Sequence, residues 1–242
     1  MNFLTQAFQT ILYQPLLNVL VILYVYVTGF DFGLAVVLLT LLIKLFLHPL
    51  SVKGMKSQKQ MANLQPKIKE LQNKYKDNRQ EQSRALMDLY KKEGISPASG
   101  CLPLLIQLPI IIALYRVFLG TKEIAPFLYG FVPDPGVLST TFLGVISLES
   151  KTFVIILALI ASVAQFWQVK MSSSKQKSDK KDFAASMQKQ MLFILPLLSF
   201  FLIWKIGAVI GLYWACSVLF SLVEQAIINK KLYGNKESEK NN

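Results

Sequence analysis

The chain has 242 residues, 53% of them hydrophobic, and a formal net charge of +12. Several apolar stretches approach the roughly 20 residues that span ~30 Å of hydrocarbon, which excludes a soluble domain. These stretches are continuous rather than alternating, which argues against a closed transmembrane barrel. The positive charge lies outside them, so membrane topology and contact with anionic lipid headgroups explain it before nucleic-acid binding does. The composition predicts an all-α polytopic membrane protein.

The N-terminal segment, 1–32, has no Lys or Arg before its apolar run. This argues against a cleaved secretory signal and against an Arg-rich transit peptide. The apolar run from Pro15 to Thr28 is about 14 residues long, which favours a helix in the membrane interface over a complete span. A sixth span is the alternative.

Five transmembrane spans follow from the remaining apolar stretches. We place them at 33–50, 98–119, 152–169, 191–206 and 208–229. Between them lie a helical hairpin at 51–97, an apolar loop at 120–151 that we expect to cap the membrane surface, a basic loop at 170–190 and a polar, disordered tail at 230–242.

The basic residues set the expected orientation. Eleven Lys and Arg lie between Ser51 and Pro97, six between Lys170 and Lys189, and four from Lys230 onward, whereas the intervening loops carry three. Cytoplasmic loops of membrane proteins are enriched in Lys and Arg, so these three segments are predicted to be cytoplasmic. The first span then starts outside, and the C-terminus ends inside.

The hairpin is predicted from helical spacing of apolar residues. Its first arm carries Met61, Leu64, Ile68 and Leu71, and its second arm carries Leu86, Leu89 and Tyr90. The turn is expected at 76–78 and the end of the second arm at Gly94. The hairpin is either a plain solvated element or a docking surface beneath a pocket.

Lys44 is the most informative residue, because it stands alone in the apolar run of the first span. A charge at membrane depth costs roughly 2.5–3.5 kcal/mol on insertion scales, so such residues tend to mark function. Thr40 and His48 share its helix face. Lys44 predicts a hydrated, positive pocket near the cytoplasm, with snorkelling as the alternative, and we interpret His48 as an ordinary interfacial residue.

Other spans carry polar residues at helical spacing. The third span has Ser162 and Gln165 on one face, the second has Gln107, and the fifth has a stripe of Tyr213, Ser217, Ser221 and Glu224. Each could hydrogen-bond across a helix interface, and together they could line a cavity with Lys44. The partner of Glu224 is left open.

Enzymatic chemistry is not expected from this set of residues. The sequence has one His and lacks a nucleophile–base arrangement at plausible depth, a Gly-rich phosphate loop and a metal-ligand cluster. We expect neither catalysis, nor a cofactor, nor a metal, and we interpret Cys101 and Cys216 as small buried packing residues.

Three stretches carry a specific resemblance to a known family. They are LLTLLIKLFLHPLSVKGMKSQKQMANLQPKIKELQNKYKD, then ALMDLYKKEGISPASGCLPLLIQLPIIIALYRVFLG, and finally FILPLLSFF with GLYWACSVLFSLVEQ. Together they resemble the YidC/Oxa-type membrane protein insertases, in a short form without the large extracytoplasmic domain of Gram-negative members. The resemblance extends from about Gln14 to Leu232.

The resemblance implies five spans around a hydrophilic groove that opens to the cytoplasm and to lipid. It also implies that Pro15–Thr28 is the family's surface helix. Thr40, Gln165, Tyr213 and Trp214 match groove positions, and Ser217 joins them through the polar stripe. The family's groove arginine aligns with Lys44, which keeps the charge but loses the planar guanidinium fork.

The implied function is that of an insertase and chaperone that moves nascent transmembrane segments into the bilayer without nucleotide. The expected partners are nascent membrane proteins and anionic lipids, with the ribosome and the Sec translocon as further candidates, and the expected working form is a monomer. The expected location is the bacterial plasma membrane. A small transporter or channel with an anion site at Lys44 is the main alternative, and an assembly scaffold is another.

Overall fold

The computed structural model describes residues 3–95, 102–119, 124–172 and 183–238. It is an almost entirely helical molecule with a small two-stranded hairpin. Four of its helical stretches are long and apolar enough to cross a membrane, and two further apolar helices are shorter. The predicted all-α polytopic fold class is therefore confirmed.

The first helix, α1, is longer than the sequence indicated. It joins α-helical Phe3–Phe8 and Gln14–Ile22 with two π-helical segments, Gln9–Tyr13 and Leu23–Val27. By length and composition its 23-residue part Thr5–Val27 could cross a membrane. The predicted length of about 14 residues was wrong, because the helix continues on the N-terminal side of Pro15 and tolerates that proline within it.

The second helix, α2, runs from Phe32 to Lys74 and contains both the first predicted span and the first arm of the hairpin. It starts at Asp31, whose side chain caps the helix by accepting a hydrogen bond from the Leu34 amide at 2.7 Å. Pro49 and Pro66 lie inside it without ending it. The boundary placed between residues 50 and 51 therefore marks a change of composition and not a break in the helix.

Helix α3, Arg79–Lys92, folds back against the C-terminal part of α2. Asn78 caps it, and Gly94 follows its end with a φ of +65°, so both the turn and the end lie where the sequence predicted them. The contact is a small apolar core of Leu64, Ile68 and Ile95. The predicted helical hairpin is confirmed.

The remaining helices are α4 (Leu102–Leu119), α5 (Lys151–Ser172), α6 (Phe183–Ile206) and α7 (Ala208–Ser238). The linker predicted at 170–190 is helical from Phe183, and α7 continues to Ser238, which corrects the tail predicted to be disordered from residue 230. Residues 98–101, and with them Cys101, lie outside the described residues, and Cys216 is half-buried.

Helix α5 packs closely against α6 and α7, and α2 packs against α7. Small residues permit this approach: Ala158 and Ala161 are completely buried in α5. Gly211 of α7 is equally constrained, because a Cβ atom there would lie 2.9 Å from Ile203 Cγ2 and 3.1 Å from Leu157 Cβ. The α2–α7 contact positions the polar residues described below.

Residues 124–150 form a folded cap over the ends of the helices. The cap contains a 3₁₀ turn at Ala125–Phe127 and the antiparallel strands β1 (Thr141–Phe142) and β2 (Ile146–Ser147). Four apolar residues of the cap are buried in the main core: Ile124, Val132, Leu138 and Leu148. The cap is thus part of the packed structure.

Candidate functional site

Lys44 is hydrogen-bonded across the α2–α7 contact. Its Nζ donates to Ser221 Oγ at 3.1 Å. Ser221 is buried, and its own hydroxyl donates to the Ser217 carbonyl at 2.9 Å, one turn earlier in α7. The cation therefore faces the polar stripe of α7.

A carboxylate lies one turn further along α7. The Glu224 side chain is only 3% exposed, and its Oε2 accepts a hydrogen bond from Ser51 Oγ at 2.7 Å. Its other oxygen, Oε1, is in short contact with His48 Nδ1. Glu224 also interacts electrostatically with Lys44. We call these five residues, Lys44, His48, Ser51, Ser221 and Glu224, the polar cluster.

The polar cluster changes the interpretation of two residues. His48 was expected to be an ordinary interfacial residue, but it contacts the buried Glu224 while half of its own side chain remains exposed. The cation at Lys44 is accompanied by an anion rather than isolated. A buried carboxylate is tolerated when charged and hydrogen-bonding partners surround it, and the cluster supplies both.

The positions in the sequence contain a signal for this arrangement. Residues 44, 48 and 51 lie on one face of α2, and residues 217, 221 and 224 lie on one face of α7. Each set follows one side of its own helix for two turns. This spacing is expected when two polar stripes face each other across a helix contact. From the sequence, Thr40, Lys44 and His48 were predicted on one face of α2 and the Tyr213–Glu224 stripe on α7, but Ser51 was not included and the partner of Glu224 was left open.

Thr40, one turn before Lys44, is completely buried. Its hydroxyl donates to the Val36 carbonyl of its own helix at 2.7 Å. This bond satisfies the hydroxyl hydrogen and leaves its oxygen as an acceptor. Ser217 Oγ is buried too, and among the described residues it has no hydrogen-bond partner.

The other predicted site residues form two separate pairs. Gln107 Nε2 of α4 donates to the Tyr213 hydroxyl at 2.6 Å, and Trp214 Nε1 donates to Gln165 Oε1 of α5 at 2.9 Å. Neighbouring residues of α7 thus connect to different helices. The structure brings Lys44 together with the Ser217–Glu224 stripe, whereas Gln165 and Trp214 pair elsewhere on α7.

The cluster offers donors and acceptors for a polar peptide segment. A lysine ammonium has three N–H donors, one of which reaches Ser221 here. Within the described part of the chain, no group of three or more His, Cys, Asp or Glu side chains is placed to hold a metal ion. The donors and acceptors of the cluster can form reversible hydrogen bonds and ion pairs with a polar peptide segment.

Comparison with known proteins gives a consistent result. Residues 22–236 match the family model described as "60Kd inner membrane protein". Curated relatives named "Membrane protein insertase YidC", from Francisella tularensis subsp. novicida (strain U112) and subsp. tularensis (strain SCHU S4 / Schu 4), are each 38% identical over 202 residues. The aligned region covers 83% of this chain and 33% of each relative. The chain thus spans about a third of the length of the curated relatives that it matches.

Proposed function

Because this chain belongs to the 60Kd inner membrane protein family, the YidC/Oxa type, we propose that it is a membrane protein insertase. It transfers nascent transmembrane segments from the cytoplasm into the lipid bilayer of a bacterial inner membrane. The observation that carries the proposal is the polar cluster, which places a cation and hydrogen-bonding groups at the contact between α2 and α7.

Lys44 attracts the acidic or polar flank of a client that must cross the membrane. At 4 Å two unit charges interact by about 1 kcal/mol in water and by about 4 kcal/mol at an effective dielectric constant of 20. In a groove that excludes part of the water, a single cation can therefore attract an acidic client segment strongly enough to matter. Thr40, Ser217, Gln165, Tyr213 and Trp214 belong to the proposed groove as hydrogen-bonding or amphipathic wall residues.

Glu224 limits this attraction in the resting state. Its charge offsets that of Lys44, so the cluster is close to neutral before a client arrives, and an incoming carboxylate competes with Glu224 for the ammonium. Because the client carboxylate and Glu224 replace each other at the ammonium, Lys44 is never left without an anion. This lowers the free-energy cost of client entry and of client release. The apolar part of the client then moves sideways into lipid, and hydrophobic transfer drives its release without nucleotide or catalysis.

We place the basic hairpin and the C-terminal end in the cytoplasm and the N-terminal end outside. The hairpin would receive clients, and together with the basic tail it could contact a ribosome, anionic lipids or the Sec translocon. The chain would work as a monomer, because the polar cluster is completed by two helices of the same chain.

We propose that α1 lies across the outer end of the helices and does not cross the membrane. Phe8 contacts Arg116 in the last turn of α4, and Tyr13 contacts Phe127 of the cap. Asn18 bonds Phe127 and Tyr129, and near the end of α1 Tyr24 accepts a hydrogen bond from the Ser139 amide. Contacts along the whole of α1 thus go to one end of the molecule, which supports the interfacial position despite the helix's length.

The first prediction tests the charge of Lys44 by depletion and complementation in a bacterial strain. Lys44→Glu should reduce the insertion of clients with acidic translocated tails by about tenfold or more, since ~1.4 kcal/mol corresponds to tenfold. Lys44→Arg should support insertion, and Lys44→Ala should be intermediate. Protease protection of the client tail measures the inserted fraction.

Two controls accompany this experiment. Lys53→Glu reverses an exposed charge on the same helix and should leave insertion unchanged. A client with an uncharged tail should respond weakly to every substitution. If Lys44→Glu and Lys44→Ala both insert acidic clients normally, the proposed role of the charge is wrong.

Reconstitution of the purified chain in liposomes separates the proposal from its alternatives. An insertase should integrate a client without nucleotide and without increasing solute flux. Anion flux that depends on Lys44 would instead indicate a transporter or channel. Failure to integrate any client when reconstituted alone would indicate an assembly scaffold.

A further inference from the structure

The cap is attached to the outer end of the molecule by buried polar contacts as well as by packing. Asn18 Nδ2 donates to the Phe127 carbonyl at 3.0 Å, and Asn18 Oδ1 accepts from the Tyr129 amide at 2.7 Å. Asp31 Oδ2 accepts from the Gly144 amide at 2.8 Å. Phe142 stacks on Phe153 of α5. The residues at the end of the cap are therefore held in fixed positions.

Three large apolar side chains lie exposed around the Asp31 contact. Phe30 is 53% exposed, Leu143 is 58% exposed and Val145 is 85% exposed. The same cap buries four of its other apolar residues, so these three are not exposed for lack of a packed structure. We call Phe30, Leu143 and Val145 the outer tip.

The backbone of the outer tip is strained. Phe30 and Leu143 have φ angles of +67° and +53°, a region that residues with a Cβ atom rarely adopt. Asp31 secures both, because one carboxylate oxygen caps α2 next to Phe30 and the other binds Gly144 next to Leu143. The fold therefore accepts strain at two positions where bulky apolar side chains point away from the core, a combination associated with functional sites.

We propose that the outer tip is a lipid-binding element that inserts into the headgroup–acyl boundary of the membrane leaflet at this end of the molecule. The tip is continuous with the surface that faces lipid: Phe142 and Phe153 connect it to the first turns of α5, where Ile155 and Ile156 are exposed. Residues 125–150 contain no Lys or Arg, and their two acidic residues, Asp134 and Glu149, are exposed and are not part of the tip. Exposed apolar side chains on a rigid loop at an interface fit a lipid surface.

This inference goes beyond the insertase function and does not depend on it. It needs the N-terminal end of α2 to lie at a membrane interface, on whichever side of the membrane that end is found. Fixing the cap in the leaflet would hold α1, α2 and α5 at a constant depth, so the polar cluster would keep its position relative to the lipid.

The experiment uses the full chain in nanodiscs, with Cys101→Ser and Cys216→Ser as the background. A single cysteine introduced by Val145→Cys or Leu143→Cys carries an environment-sensitive NBD fluorophore. Lipids with a doxyl group near the headgroup end of the acyl chain should quench this emission about twofold or more, as expected for a probe a few ångström below the headgroups. Glu149→Cys and Asp134→Cys are the matched controls on the same cap, and they should respond to aqueous iodide instead.

A second variant tests the role of the strain. Asp31→Asn removes the charge that holds both turns and should reduce doxyl quenching at position 145, with unchanged elution on size exclusion showing that the chain remains folded. The proposal is overturned if the probe at 145 is quenched by iodide and not by doxyl lipid, as at 149.

Discussion

Lys44 and Glu224 form the central pair at the scale of single residues. Lys44 donates to Ser221, and Glu224 accepts from Ser51 while contacting His48, so each of the two charged groups has a polar partner on the facing helix. These hydrogen-bonding partners explain how a lysine and a buried carboxylate are accommodated in the contact between α2 and α7. Their electrostatic interaction makes Lys44 and Glu224 energetically interdependent.

The second prediction concerns this interdependence. Lys44→Met should destabilise the protein more when Glu224 is present than in the Glu224→Gln background, because only the first case leaves a buried carboxylate without its cation. The coupling should be roughly 0.5–3 kcal/mol, as for residues in one network. Thermal unfolding of the four proteins in the same detergent, followed by fluorescence-detected size exclusion, measures it.

If Lys44→Met lowers stability equally with Glu224 and with Glu224→Gln, Lys44 and Glu224 act independently. Lys53→Met supplies the control, since that lysine lies on an exposed position of the same helix. Replacing Lys53 should change the midpoint of thermal unfolding little in either background.

At the scale of elements, the start of α2 is fitted closely against β1. Gly33 is buried, and a Cβ atom at this position would lie 2.6 Å from both Cβ and Cδ2 of Phe142. No side chain larger than hydrogen fits unless the strand moves. The contact joins the first span to the cap directly below the outer tip.

The third prediction is that Gly33→Ala destabilises the protein by about 1–3 kcal/mol through overpacking. Gly54→Ala is a matched control in the same helix, because nothing lies within 4 Å of the added methyl group. It should be neutral or stabilising by up to about 1 kcal/mol, the helix-propensity difference between the two residues. Thermal unfolding in detergent compares both variants.

Phe142→Leu in the Gly33→Ala background tests the cause. It should recover part of the lost stability, because a smaller side chain relieves the clash. If Gly33→Ala is as stable as Gly54→Ala, the close approach of α2 and β1 is not a constraint on this fold.

The elements show which features one sequence can predict. Helical spacing and turn residues were sufficient to place the hairpin, with its turn near Asn78 and its end at Gly94. They could not show that α2 continues through Pro49, because proline usually ends a helix and its tolerance depends on surrounding packing. Strands of two residues, such as β1, are too short to produce an alternating pattern.

The candidate site was predictable to a similar extent. The position of Lys44 within an apolar run is local information and was sufficient to single it out as a candidate, whose role stays a prediction. The partner of His48 lies 176 residues away, and the rotation of α7 relative to α2 depends on the packing of several helices. Pairings such as Trp214 with Gln165 therefore remained open until the helices were placed together.

At the scale of the whole molecule, the distribution of charge predicts one orientation in the membrane. The fourth prediction uses a membrane-impermeant maleimide on intact cells, in the Cys101→Ser and Cys216→Ser background. A cysteine at Asp134→Cys should react from outside, whereas one at Arg84→Cys should react only after the cells are opened. Both positions are exposed in the structure.

The same labelling decides the placement of α1. A cysteine at Gln6→Cys should react from outside if α1 lies across the outer end, since both ends of the helix are then on one side. Reaction only after opening would show that α1 crosses the membrane, giving six spans. Reaction of Arg84→Cys in intact cells would contradict the positive-inside orientation.

The unbroken course of α2 has a mechanical consequence. Its 43 residues form a rod about 64 Å long at 1.5 Å per residue, and this rod carries Lys44 in its first half and the apolar contact with α3 in its second. A load applied to the C-terminal half of α2 is transmitted as torque to the segment that bears the ammonium, because the helix is continuous between them. Pro49, which cannot donate the amide bond of its turn, is the weakest point between the two halves. A ligand pulling on the C-terminal half would therefore act as on a lever, with its fulcrum at Pro49, between the cluster residues His48 and Ser51.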